Sequence, residues 1–84
     1  MTHHLTLELT RAEGALVRVL GLTERRGYEP LEITASPRDD TTMDLLLTVH
    51  SERPIGLLMR QLEKLFDVRT VQQIPFAALA GVAK

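Results

Sequence analysis

Eighty-four residues, 44% of them hydrophobic, suffice for one small domain with a single two-layer core and leave no room for a second. A formal net charge of −1, with Lys and Arg spread along the chain, provides no electrostatic footprint for nucleic acid or an anionic membrane. The lack of Cys excludes disulfide staples, thiolate catalysis and cysteine-bound metals, and no apolar run reaches membrane-spanning length, so a cytoplasmic protein is expected.

From His4 to Thr10, Leu5, Leu7 and Leu9 alternate with polar residues, the pattern of a half-buried strand rather than a signal peptide. Thr10, Arg11, Ala12 and Glu13 match a capping box, predicting a helix over about 13–26 with Leu16, Val19, Leu20 and Thr23 on one stripe. Arg25, Arg26 and Gly27 supply cations and a glycine for its C-terminus. Leu31, Ile33 and Ala35, bracketed by Pro30 and Pro37, predict a short edge strand. The polar turn 38–41 leads into a third strand, in which Met43, Leu45, Leu47 and Val49 alternate against Asp44, Leu46, Thr48 and His50.

Ser51 and Pro54 mark the start of a second helix running to about Phe66, with Ile55, Leu58, Met59, Leu62, Leu65 and Phe66 on one face. Val68, Val71 and Ile74 do not alternate cleanly, and a fourth strand over 67–74 rests on their β-branched content and on the need to complete a sheet. The expected fold class is therefore α+β, a ferredoxin-like βαββαβ sandwich of four antiparallel strands with two helices on one face. Residues 1–84 are expected to form one domain, with its core in 1–75 and a small apolar C-terminal tail over 76–84. The other sheet face, carrying Thr6, Thr34, Leu46 and Thr48, or alternatively the exposed edge of strand two, is of the kind that often mates with another copy.

No nucleophile, acid–base pair or metal cluster emerges at usable spacing. His4 and His50 fall on one sheet face if strands one and three are neighbours, but they lack further ligands, and solvated imidazoles are the simpler reading. Asp39, Asp40 and Asp44 beside a hairpin read as turn formers rather than a cation site. Gly14, Gly21 and Gly27 match no nucleotide-binding fingerprint, and too few aromatics are present to stack RNA bases. The one candidate small-molecule site is the strand-to-helix junction from Thr10 to Leu16, where helix-start amides can accept a carboxylate and Gly14 permits close approach. The competing reading is that Thr10 and Glu13 satisfy those amides themselves.

The segment from Glu13 through Gly14-Ala15-Leu16, Arg18-Val19 and Gly21-Leu22 to Arg26-Gly27-Tyr28 resembles the first helix of ACT domains in acetolactate synthase small subunits. Gln61 to Val68 is similar to that family's passage from second helix to last strand. The resemblance implies a non-catalytic homodimer that binds and activates a catalytic large subunit. Thiamine diphosphate, Mg and FAD would then sit on that large subunit and no cofactor on this chain. It further implies an effector or dimer junction at Arg11, Glu13, Gly14, Ala15, Leu16, Glu29 and Pro30, able to hold a branched-chain amino acid. Valine-sensitive members carry amides where this chain has Arg11 and Glu29, so valine feedback is expected to be absent; Arg11 and Glu29 are placed to contact an amino acid or to pair with each other. A stand-alone amino-acid sensor is the alternative.

Overall fold

The computed structural model describes residues 1–75, and the expected tail over 76–84 lies outside the described residues. Six elements follow in order: β1 (Thr2–Thr10), α1 (Ala15–Arg25), β2 (Glu29–Pro37), β3 (Thr42–His50), α2 (Ile55–Glu63) and β4 (Val68–Ile74). The strands form one antiparallel sheet in the order β2-β3-β1-β4, the expected split βαββαβ arrangement.

The leucine alternation sets the register. Leu5, Leu7 and Leu9 of β1 lie opposite Leu47, Leu45 and Met43 of β3, so the inward positions of the two central strands form one apolar surface. Val19 and Leu22 of α1 and Leu58 and Leu62 of α2 cover it, with Tyr28, Val68 and Val71 completing the core. Each fully buried Leu side chain contributes about 1.5–3 kcal/mol over an exposed one.

The uneven spacing of β4 has a simple cause. Val71 faces Leu7 and Val68 faces Leu9, with the register shifting between Glu8 and Leu9; one extra residue in β4 lets two valines three positions apart both point inward. A similar shift between Pro30 and Glu32 lets β2 run over nine residues, from Glu29 to Pro37, rather than the short stretch expected. The strand is nonetheless an edge, and it is exposed along almost its whole length.

Two further expectations are corrected. No capping box forms, because Thr10 is still in β1, where its N–H donates to the Asp67 carbonyl at 2.8 Å. The helix starts only at Ala15, behind Gly14 at φ +81°, and no side chain caps it. Phe66 leaves the core face of α2, because the helix ends at Glu63 and tight turns through Lys64 and Leu65 rotate it out to 98% exposure.

The C-terminus of α1 is closed by paired backbone bonds, Gly27 N–H to Glu24 O at 3.1 Å and Tyr28 N–H to Thr23 O at 3.1 Å. This is the Schellman arrangement, with Gly27 at φ +89° in the left-handed position and Tyr28 packing back into the core.

Candidate functional site

The junction between β1 and α1 is built by four successive backbone bonds. Arg11 N–H donates to Thr41 O at 2.9 Å, Ala12 N–H to Thr10 O at 2.8 Å, Ala15 N–H to Ala12 O at 3.1 Å and Arg18 N–H to Gly14 O at 2.9 Å. The left-handed conformation at Gly14 turns the chain from strand into helix, a conformation that L side chains rarely adopt. No side chain caps α1 and no acidic residue lies in its first turn, so nothing in that turn offsets the partial positive charge of the helix start.

Arg11, Glu13, Gly14, Ala15 and Leu16 are brought together here, but Glu29 and Pro30 are not. Thr10 pairs with Thr42 at one end of β3, whereas Glu29 pairs with His50 at the other. Eight residues of strand separate those ends, about 26 Å. A direct Arg11–Glu29 pair within one chain is therefore corrected: Arg11 instead donates from Nη1 to the Asp39 carbonyl at 2.8 Å, folding over the β2–β3 turn.

Two residues that frame the junction, Arg18 and Asp67, lie inside the two segments of resemblance, which assign them no role. Arg18 donates from Nε to Asp67 Oδ2 at 2.6 Å and from Nη2 to Glu13 O at 3.1 Å, and the Asp67 side chain is only 6% exposed. Asp67 belongs to the helix-to-strand segment that carried the second resemblance, a signal of position though not of role.

The β2–β3 turn is held by Asp39, whose Oδ1 accepts from the backbone N–H of Thr41 and of Thr42, each at 2.8 Å, and from the Thr41 hydroxyl at 3.1 Å. These bonds, the Thr41 backbone bond foremost, hold its carboxyl below its ordinary value of 3.8. Beside it Arg38 binds Asp44 and Glu8, and those two carboxylates, Asp44 first, raise the guanidinium further above its usual value. This ionic cluster closes one end of a shallow groove of about 410 Å³ on the open sheet face, where Thr6, Thr34 and Leu46 line the floor. His4 and His50 do share that face, and His4 Nδ1 lies 2.9 Å from Thr48 Oγ1. Among the described residues no three His, Asp or Glu side chains gather to hold a metal, and no helix is long and apolar enough to cross a membrane.

Comparison with known proteins agrees with this architecture. The small subunit of acetolactate synthase isozyme 3 from Escherichia coli (strain K12) is 37% identical over 76 residues, which cover 88% of this chain and 47% of that protein. The acetolactate synthase small subunit of Buchnera aphidicola subsp. Schizaphis graminum is 36% identical over 76 residues, covering 88% and 48%. The chain thus spans about half the length of the curated relatives it matches. The crystal structure of the acetolactate synthase small subunit from Thermotoga maritima superposes with a TM-score of 0.78 at 23% identity, covering 89% of this chain and 48% of that one. The ACT domain from GTP pyrophosphokinase of Chlorobium tepidum superposes at 0.76 with 16% identity, covering 88% and 97%. At these identities the superpositions establish the fold alone. The family model described as the ACT domain matches residues 11–71, from the glycine-turned junction to the last strand, and with the βαββαβ sheet this settles the question: the chain belongs to the ACT domain family.

Proposed function

We propose that this chain is a regulatory small subunit of acetolactate synthase, acting in the cytoplasm by binding the catalytic large subunit and raising its activity. The observation that carries this reading is the 36–37% identity to acetolactate synthase small subunits across 88% of the chain. The chemistry, with thiamine diphosphate, Mg and FAD, resides on the large subunit. The small subunit acts by favouring one conformation of its partner, which requires only that it bind that conformation more tightly.

The working form is a homodimer joined along the β2 edges. Leu31 and Ile33, exposed by 54% and 40%, lie on that edge, where unpaired backbone groups await a strand. Antiparallel pairing of two β2 strands about Ile33 sets the partner's Glu29 beside Pro37, at the sheet end where Arg11 and Gly14 lie. The two halves of the candidate site, far apart in one chain, then meet across the two-fold axis. With Arg11 turned onto Asp39 O, that junction presents a guanidinium and a carboxylate in place of neutral amides, which supports a small subunit without valine feedback.

Sedimentation of a mixture of this protein with its cognate catalytic subunit tests the assignment. A stable complex is expected. Separate boundaries, together with thermal stabilisation of the chain by one amino acid, would move the function to a free-standing sensor.

A further inference from the structure

In sequence the ten basic residues are dispersed, but the fold gathers three of them around one cavity. Arg26 at the end of α1, Arg53 before α2 and Arg60 within α2 line a pocket of about 260 Å³ together with Tyr28, Leu57 and Gln61. It lies at the sheet end away from Arg11 and Gly14, and is separate from both the candidate junction and the open-face groove.

All three arginines are exposed, and neighbouring groups position two of them, Arg53 and Arg26. Ser51, itself buried, donates from Oγ to Gly27 O at 3.0 Å and accepts the Arg53 N–H at 3.0 Å, fastening the approach to α2 onto the end of α1. Gly27 has no side chain, and this matters: a Cβ there would come within 2.6 Å of Arg53 Nε, so the guanidinium lies directly over the glycine. Tyr28 forms a buried wall and donates from its hydroxyl to Pro54 O at 2.6 Å. Arg26 is steadied by Gln61 Oε1 at 3.2 Å.

No carboxylate lines this pocket; Glu24 and Glu29 lie around Gly27 and Tyr28 on the adjoining surface. The ion pairs among the described residues engage Arg18 and Arg38, and Arg26, Arg53 and Arg60 make none. Three arginines without an ion pair thus line one pocket on a chain whose net charge is −1. The partial negative charge at the end of α1 offsets part of this, yet it amounts to only about half an elementary charge against three.

We infer that this pocket binds a small multivalent anion bearing a phosphate or diphosphate group. Guanidinium forks match phosphate oxygens in bidentate fashion, and three forks call for more than one negative charge. The volume suits a phosphate or diphosphate with a short apolar extension along Leu57, and falls below the roughly 300–1,000 Å³ of sites for drug-sized ligands. This site stands whether or not the chain serves acetolactate synthase, because it rests on this chain's own geometry.

The test is calorimetric titration of the full chain with sodium pyrophosphate, run against sodium chloride of matched ionic strength, with orthophosphate and adenosine diphosphate as further arms. One saturable site per chain is expected. Arg53→Ala and Arg60→Ala should each weaken binding by about tenfold or more, since each removes hydrogen bonds to a charged group. Arg60→Lys, which keeps the charge and loses the fork, should fall between. Arg25→Ala deletes the same charge from the same helix end outside the pocket and should leave binding within about twofold. Adenosine diphosphate binding more tightly than pyrophosphate would assign the site to an organic phosphate, and equal affinity to free phosphate. Heat that vanishes at matched ionic strength, or affinity unchanged in both alanine variants, would overturn the proposal.

Discussion

Arg18 and Asp67 tie the first turn of α1 to the entry of β4, with Arg18 Nε 2.6 Å from Asp67 Oδ2. The same Asp67 accepts the Thr10 N–H on its backbone oxygen, so one buried residue anchors both sides of the β1–α1 junction. Asp67→Ala removes a charge-assisted bond but leaves Arg18 half exposed and able to take water. The expected loss is about 1–2 kcal/mol, below the cost of breaking a fully buried pair. Thermal unfolding should show a fall in Tm of roughly 4–16 °C for a domain of this size.

Tyr28→Phe isolates a single hydrogen bond, from the Tyr28 hydroxyl to Pro54 O, while keeping the ring in the core. A loss of about 1 kcal/mol is expected by denaturant titration with an unchanged m-value. Amide exchange should rise at the start of α2, where that bond holds the chain.

Ile33→Lys probes the β2 edge. Ile33 is 40% exposed and lies opposite the buried Leu47, so the substitution should cost one chain about 1 kcal/mol, a fraction of the value of a fully buried aliphatic side chain. A lysine on an open edge opposes strand pairing, and sedimentation should shift from dimer to monomer. An unchanged sedimentation coefficient would place the dimer contact elsewhere.

Asp39 supplies a pH dependence whose sign is fixed. Its folded-state pKa lies below the ordinary 3.8, because backbone N–H groups, that of Thr41 first, stabilise the carboxylate. Its contribution is therefore fully present above the unfolded value and is lost as pH falls through the folded one. A carbon-detected NMR titration should give Asp39 a midpoint below 3.8, and Asp39→Ala should reduce the acid sensitivity of the β2–β3 turn.

Much of the fold is legible in the chain because alternation is direct evidence of a sheet face: Leu5, Leu7 and Leu9 pair with Leu47, Leu45 and Met43 in the register their pattern implies. The departures have local causes. The spacing of Val68 and Val71 hides a bulge that only the partner strand reveals. Thr10 to Glu13 satisfies a capping-box pattern, yet the chain first has to leave the sheet, and Gly14 rather than Thr10 makes the turn into the helix. Of the candidate site, Arg11 to Leu16 is contiguous and so could be named in advance, with Glu29 and Pro30 at the far end of the sheet. The arginine pocket was illegible, since Arg26, Arg53 and Arg60 meet only through the packing of α2 against the end of α1.

The central claim is regulatory, and the most direct measurement is acetolactate formation by the cognate catalytic subunit with and without this protein, in the presence and absence of valine. A rise in rate on addition of the chain, not reversed by valine, is expected. A rate unchanged by the chain at saturating concentration would contradict it.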